Sequence, residues 1–261
     1  MPAAHIVLAH PEPRSYSAHL ARTAQGALQA AGWDVTLTDL YTIGFEASEG
    51  PLHYRQRKHR ERFDASTEQR HAFDHGRMPR IVADEIARME ASDLLILQFP
   101  LWWYGPPAIL KGWIDRVLAY GATYTSKVRF DAGKFSGKRA IVSTVGGGEK
   151  ESFVLGGRNG DVHQSLWPVH YALTYVGYTV VEPLVAMGAG AWSPDEDNAA
   201  EMERLGRHAE AVAVAMQHIE QRPALCFNSQ NDWTTEGAPK PGHDDPGPFT
   251  YRAGADPRKQ A

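Results

Sequence analysis

Three short stretches carry residues whose types and spacing could do chemistry. The first is His10-Pro-Glu-Pro-Arg14-Ser15-Tyr16-Ser17, which follows an apolar run and leads into a helical pattern. Ser15 and Ser17 can cap that helix while its first-turn amides and dipole accept an anion, with His10 or Arg14 as the cation. An ordinary capped helix would use the same residues, so both readings stay open. The second is Pro100-Leu101-Trp102-Trp103-Tyr104-Gly-Pro-Pro107. A strand-to-helix loop lies on the surface, where three consecutive aromatics are a liability unless something covers them. They suit a platform for a flat aromatic ligand, a subunit interface, or both; the bland alternative is a buried aromatic corner. The third is Thr144-Val145-Gly146-Gly147-Gly148, where successive glycines let the backbone approach a ligand and turn N–H groups toward it.

Other candidates are weaker. Gly133-Lys-Phe-Ser-Gly137-Lys-Arg has the wrong spacing for a Walker loop and reads as a turn. His71 and His75 are four residues apart with Glu68 nearby, but a metal centre normally shows a clearer third ligand, and none is assigned. Cys226 is the only cysteine, which rules out an intrachain disulfide; nothing marks it as a nucleophile, and it reads as a small apolar filler.

Alternating apolar runs and helical patterns place the three stretches. Strands are predicted over 5–9 (HIVLA), 34–40, 94–100, 139–144 and 179–184, and helices over 17–31, 79–91, 107–120, 162–176 and 194–218. Such alternation implies right-handed crossovers and a parallel sheet. Five strands fit an α/β, flavodoxin-like doubly wound sheet with helices on both faces, which binds ligands at the carboxyl ends of its strands. All three stretches then fall at that end, after strands one, three and four. They supply an anion cradle, an aromatic wall and a glycine-lined edge, the requirements of a flavin nucleotide. One domain spans 1–222. Residues 46–76 form a polar, basic excursion, read as a solvated face. Residues 223–261 are a polar, Pro- and Gly-rich extension laid over a surface or a partner.

The 261 residues carry 27 Lys and Arg against 31 Asp and Glu, a net charge of −4, which argues against nucleic acid as a partner. No apolar run approaches the ~20 residues of a membrane span, and the N-terminus enters an apolar run directly, so a cytoplasmic protein is expected.

VLAHPEPRSYS, LLILQFPLWWYGPPAILKGWIDRV, the TVGGG turn, residues 157–161 with Leu166-Trp167-Pro168, and WDVTLTDLY together resemble the NAD(P)H:quinone oxidoreductases of the DT-diaphorase type. The similarity runs from about Ala4 to near Ile219. It implies a homodimer with its site at the subunit interface, holding FAD rather than FMN. Two-electron reduction of quinones by NAD(P)H would follow, with hydride passing through flavin N5 in ping-pong fashion. By resemblance, His10, Ser15, Tyr16 and Ser17 hold the pyrophosphate, and Pro100, Leu101, Trp102, Trp103 and Tyr104 wall the isoalloxazine. Thr144, Val145, Gly146 and Gly147 present backbone N–H groups to the ring, and Tyr124 lines the substrate side from the partner subunit.

The departures from the family pattern are specific. The relay tyrosine falls on Phe153 and the relay histidine, an asparagine in one branch of the family, on Asn159; phenylalanine cannot donate a proton, so the relay would use water or backbone N–H groups. A second substrate tyrosine is Ser126, an FAD-contacting glutamine is Asp64, and an adenine-side arginine is Asn198. Similar proteins also serve as ancillary subunits of glutathione-gated potassium efflux systems. That flavin-binding regulatory role is the alternative, because binding tolerates a lost proton donor.

Overall fold

The computed structural model describes residues 1–189, 192 and 199–241. In chain order the regular elements are β1 (Ala3–Leu8), α1 (Tyr16–Ala30), β2 (Asp34–Asp39), α2 (Ala65–Asp74), α3 (Arg80–Ala91), β3 (Leu94–Pro100), α4 (Ala108–Val117), β4 (Arg139–Val145), α5 (Val162–Tyr175), β5 (Thr179–Val180), β6 (Leu184–Ala186) and α6 (Ala199–Gln217). The strands pair in parallel in the order β2-β1-β3-β4-β5, with β6 also on β4. Each crossover therefore carries a helix, and the order reverses between β1 and β3, where a doubly wound sheet opens its ligand crevice.

The sheet is buried on both faces, which is why β3 (LLILQFP) reads as a continuous apolar run with every residue buried. On one face Leu20, Ala21, Ala24 and Leu28 of α1 and Leu205, Val212 and Met216 of α6 cover Ile6, Leu94, Ile96 and Ile141. On the other, Val82 and Met89 of α3, Leu110 and Trp113 of α4 and Leu166 and Leu173 of α5 cover Val7, Leu95, Leu97 and Val142.

Two expectations are corrected. The predicted fifth strand, 179–184, is two segments, so the sheet has six strands and not five. Both segments lie beside β4: Ala140 pairs with Val180 and Ser143 with Leu184, so the edge strand holds one residue more than β4 over that interval. The extra residue falls within 181–183, where Pro183 has no N–H to give the ladder. The excursion 46–76 contains a helix, α2. Asp64 caps it by accepting from the Thr67 amide at 2.8 Å, and buried Glu68 accepts the Lys58 and His59 amides, tying the basic loop down. The polar residues that hid this helix from an apolar-period reading are therefore its fastenings.

The extension lies over this chain's own surface as far as 241. The Glu182 amide donates to the Pro223 carbonyl, Leu225 to Val180, Ser229 and Gln230 both bond the Asp131 carboxylate, and Trp233 packs on Phe130. Residues 242–261 and the start of the last predicted helix, 194–198, are outside the described residues.

Candidate active site

The carboxyl ends of β1, β3, β4 and β6 and the start of α1 enclose a cleft of about 450 Å³. His10, Ser15, Tyr16 and Ser17 line it from the first loop, Pro100, Leu101 and Trp102 from the second, and Val145 and Gly147 from the third. Three segments separated by dozens of residues thus meet because parallel strands end on one edge of the sheet.

The first loop is an anion-receptive corner. Ser15 is the N-cap of α1, its hydroxyl accepting from the Ala18 amide at 3.2 Å, so the opening turn is fixed with its dipole toward the cleft. The Glu12 amide donates to His10 Nδ1 at 3.0 Å, which leaves the ring proton on Nε2 as a donor. Burial pushes the His10 pKa below the ordinary value, against the raising pull of Glu12 and Asp39. Tyr16 lines the same corner while its hydroxyl donates to the Leu205 carbonyl at 2.7 Å in the core, which leaves its backbone for a ligand.

The second loop is a tight turn. Trp102 and Gly105 exchange both backbone hydrogen bonds, at 3.0 and 3.1 Å, around Trp103 (φ 50°) and Tyr104 (φ 63°). Positive φ at both central positions is the arrangement for which Asn-Gly is the favoured pair, and bulky aromatics there carry backbone strain. Trp103 is 95% exposed and Tyr104 51%. Strain and exposed aromatic surface coincide, the combination that clusters at ligand clamps.

The third loop is the tightest. A Cβ on Gly146 would lie 2.4 Å from Met187 Sδ, and one on Gly148 would lie 2.8 Å from Phe153 Cε2. Not every amide of this loop is offered to the cleft. Gly146 donates to the Ala186 carbonyl at 2.8 Å, and the Thr144 side chain is buried with its hydroxyl on the Phe99 carbonyl. One residue pair below the cleft residues Pro100 and Val145, on the same sheet face, Gln98 Nε2 and Ser143 Oγ are buried without a partner.

Beside Gly148 a second cluster forms. The Tyr104 hydroxyl donates to Asn159 Oδ1 at 3.4 Å, Asn159 Nδ2 donates to Ser152 Oγ at 2.9 Å, and the Tyr104 and Phe153 rings meet 6.4 Å apart. Tyr124 does not line the cleft of its own chain; it packs edge-on against Tyr120 and Tyr175, and burial raises its phenol pKa. Asp64, spent on the α2 cap with its pKa lowered by those same Thr67 hydrogen bonds, is a structural residue here. Asn198 is outside the described residues. Glu68 is committed to two backbone amides, and among the described residues no group of three His, Cys, Asp or Glu could hold a metal.

Sequence reasoning missed two parts of the cleft wall, Ala189 and Trp192. Trp192 donates from Nε1 to the Arg14 carbonyl at 2.9 Å and packs on Tyr16 and His19. The signal was available, since both follow the last strand and so belong to a fourth strand-end loop.

The sequence profile of a family described by its flavodoxin-like fold matches residues 3–211. NAD(P)H dehydrogenase [quinone] 1 of Rattus norvegicus is 39% identical over 197 residues, covering 73% of this chain and 70% of the relative. Ribosyldihydronicotinamide dehydrogenase [quinone] of Homo sapiens is 34% identical over 198 residues, 73% of this chain and 84% of the relative. A Klebsiella pneumoniae crystal structure assigned as a quinone reductase superposes with a TM-score of 0.81 at 30% identity, over 90% of this chain and 92% of that one.

Proposed function

Because the chain belongs to the flavodoxin-like family that contains the NAD(P)H dehydrogenases [quinone], we propose that it reduces quinones by two electrons with NAD(P)H, using a bound flavin. The observation that carries the reading is the meeting, in one cleft, of the capped α1 terminus, Pro100, Leu101 and Trp102 at the start of the strained aromatic turn, and Val145 and Gly147 of the glycine turn. These residues fit a flavin nucleotide. The cleft offers anion-receptive amides at one side, the Trp102 ring at another, and the bare backbone of Gly147 between them. Orphaned Gln98 Nε2 and Ser143 Oγ beneath Pro100 and Val145 add polar capacity that the protein alone does not satisfy.

In this reading the α1 opening turn and His10 Nε2–H hold the pyrophosphate, and Ser15 keeps that turn rigid. Pro100, Leu101, Trp102 and Trp103 wall the ring, with Tyr104 at its edge. Gly147, rather than Gly146, is the residue of the third loop whose amide serves the ring, since the Gly146 amide is committed to the Ala186 carbonyl. Val145 supports the ring by contact. FAD is favoured over FMN because the cleft continues from the anion corner to the indole of Trp192, a surface that an adenine can stack on. When bound, the flavin accepts hydride from NAD(P)H and passes it to the quinone. The chain's part is to orient both substrates in turn over one platform, which predicts parallel double-reciprocal lines. Tyr124, absent from its own cleft, serves the substrate side of a second copy in a homodimer. A cytoplasmic location accords with this substrate use. The relatives are dehydrogenases by name, which favours an enzyme over an ancillary subunit.

The test is an absorbance spectrum of the purified protein, then anaerobic NADPH and menadione added in turn. Bleaching and recovery of a bound flavin support the reading; a colourless protein that neither FAD nor FMN reconstitutes overturns it. Chromatography of the released cofactor decides FAD against FMN.

A further inference from the structure

We propose that Tyr104 is the proton donor to the quinone, and that Asn159 is its positioning residue. The inference rests on the quinone-reductase reading and adds to it the group that completes the chemistry. Delivery of hydride to a quinone leaves a hydroquinone monoanion, and one proton must still reach its second oxygen. Phe153, the ring lying over the glycine turn, has no proton to give.

The hydroxyls around that turn can be sorted by what they already do. Thr144 Oγ1 is buried and donates to the Phe99 carbonyl at 3.0 Å. Ser152 Oγ donates to the Glu149 carbonyl at 2.7 Å. The Tyr104 hydroxyl is different on three counts. It belongs to a half-exposed residue, it is bonded to a side-chain amide and not to backbone, and at 3.4 Å that bond is long enough to be yielded to a stronger acceptor.

The donor sense of the chain is fixed from its far end. Ser152 gives its own proton to Glu149, so it receives one from Asn159 Nδ2 at 2.9 Å. Asn159 therefore presents Oδ1 to Tyr104, and the Tyr104 hydroxyl must be the donor. Asn159 is itself held, its backbone amide donating to the Ser152 carbonyl at 2.8 Å. Tyr104 cannot drift, because it sits in a two-residue turn closed by hydrogen bonds on both sides and its ring rests against Phe153. A backbone held at φ 63° for a bulky residue is strain that packing at this site has to sustain.

The step balances. The O–H bond of Tyr104 breaks, a new O–H bond forms on the hydroquinone monoanion, and the Tyr104 phenolate recovers its proton from water at the exposed side. Electrons come only from NAD(P)H, and no further reductant is needed.

The test compares wild type with Y104F as flavin-loaded proteins. Removing a hydrogen bond to a developing oxyanion predicts a fall of about 10- to 100-fold in turnover with menadione. Reduction of ferricyanide, which takes electrons without protons, stays within about twofold of wild type, as does bleaching by NADPH. Binding gives a readout free of turnover: the anion of 2-hydroxy-1,4-naphthoquinone, added to oxidised protein without NADPH, binds about tenfold more weakly to Y104F. N159A produces the same pattern more mildly. Equal slowing of menadione and ferricyanide, or unchanged menadione turnover with unchanged naphthoquinone binding, overturns the assignment of Tyr104 and leaves the quinone-reductase reading standing. Failure of wild type to take up flavin overturns both.

Discussion

Replacing Trp103 by glycine is expected to make the cofactor-free protein more stable and the flavin complex weaker. Trp103 has φ 50° and is 95% exposed, so the native fold holds a left-handed backbone for a residue with almost no packing to lose. An L-residue in that region costs roughly 1–2 kcal/mol, and glycine avoids it. Glycine brings its own entropic penalty of about 0.5–1 kcal/mol. The difference is a gain of about 0.5–1 kcal/mol, or a rise in Tm of about 1–4 °C for a chain of this size. Against this, a stacking surface on a flat heteroaromatic ring is lost, worth ~1–3 kcal/mol by comparison with base–aromatic stacking. The flavin Kd should therefore rise about tenfold or more. Differential scanning fluorimetry of cofactor-free protein and flavin titration by fluorescence quenching measure the two terms separately. Were Trp103 a packed core residue, its truncation would cost about 3–5 kcal/mol and lower Tm by ~10 °C. A fall of that size would refute the strain account, and an unchanged flavin Kd would refute the platform account.

Three further outcomes follow from other parts of the molecule. His5 and His170 are held neutral by burial, which lowers both to about 3, with Arg88 also depressing His5, against the Glu85 carboxylate 3.6 Å from its Nε2, and His163 also depressing His170. Their folded pKa lies below the unfolded one, so the stability they preserve is complete above about pH 6.5 and is lost as pH falls toward 3. Between pH 6 and 5, above the carboxylate range, H5Q or H170Q should each remove about 1.4 kcal/mol per pH unit from the slope of urea-derived stability, and an unchanged slope would reject this. In α4, a Cβ on Gly112 would lie 2.1 Å from the Ala47 carbonyl oxygen and 2.5 Å from its Cα. G112A should thus cost about 1–3 kcal/mol and expose the 55–62 loop to trypsin, where helix propensity alone predicts ~1 kcal/mol of stabilisation. W192A should weaken FAD binding about tenfold while leaving FMN affinity within twofold; equal losses for both would remove Trp192 from the adenosine end.

Much of the fold was legible because its signals are local. β3 is apolar throughout since both faces of a parallel strand are covered, and α1 begins at a capping serine and ends near Gly32. Those periods fixed the element order, and element order with right-handed crossovers put all three chemical loops on one edge. What stayed hidden depends on contacts distant in sequence. No run of residues announces that polar Glu68 and Asp64 are fastenings for α2, because the partners of Glu68 are two amides and the Arg57 guanidinium of an irregular loop, beyond the nearby Ser66 and Thr67 that Asp64 caps. Pro183 hinted at a weak strand, but the extra residue shows only against β4.

The candidate site divides in the same way. Residue types alone nominated His10, Ser15, Trp103 and Gly147, since cap, aromatic and glycine chemistry belongs to the side chain or its absence. Which groups remain available was decided by tertiary structure: the Tyr16 hydroxyl goes to Leu205, 189 residues away, the Gly146 amide goes to Ala186, and Tyr104 meets Asn159 across 55 residues. A sequence specifies which donors and acceptors a chain owns, whereas folding determines which of them the protein itself consumes. A ligand can use only the remainder.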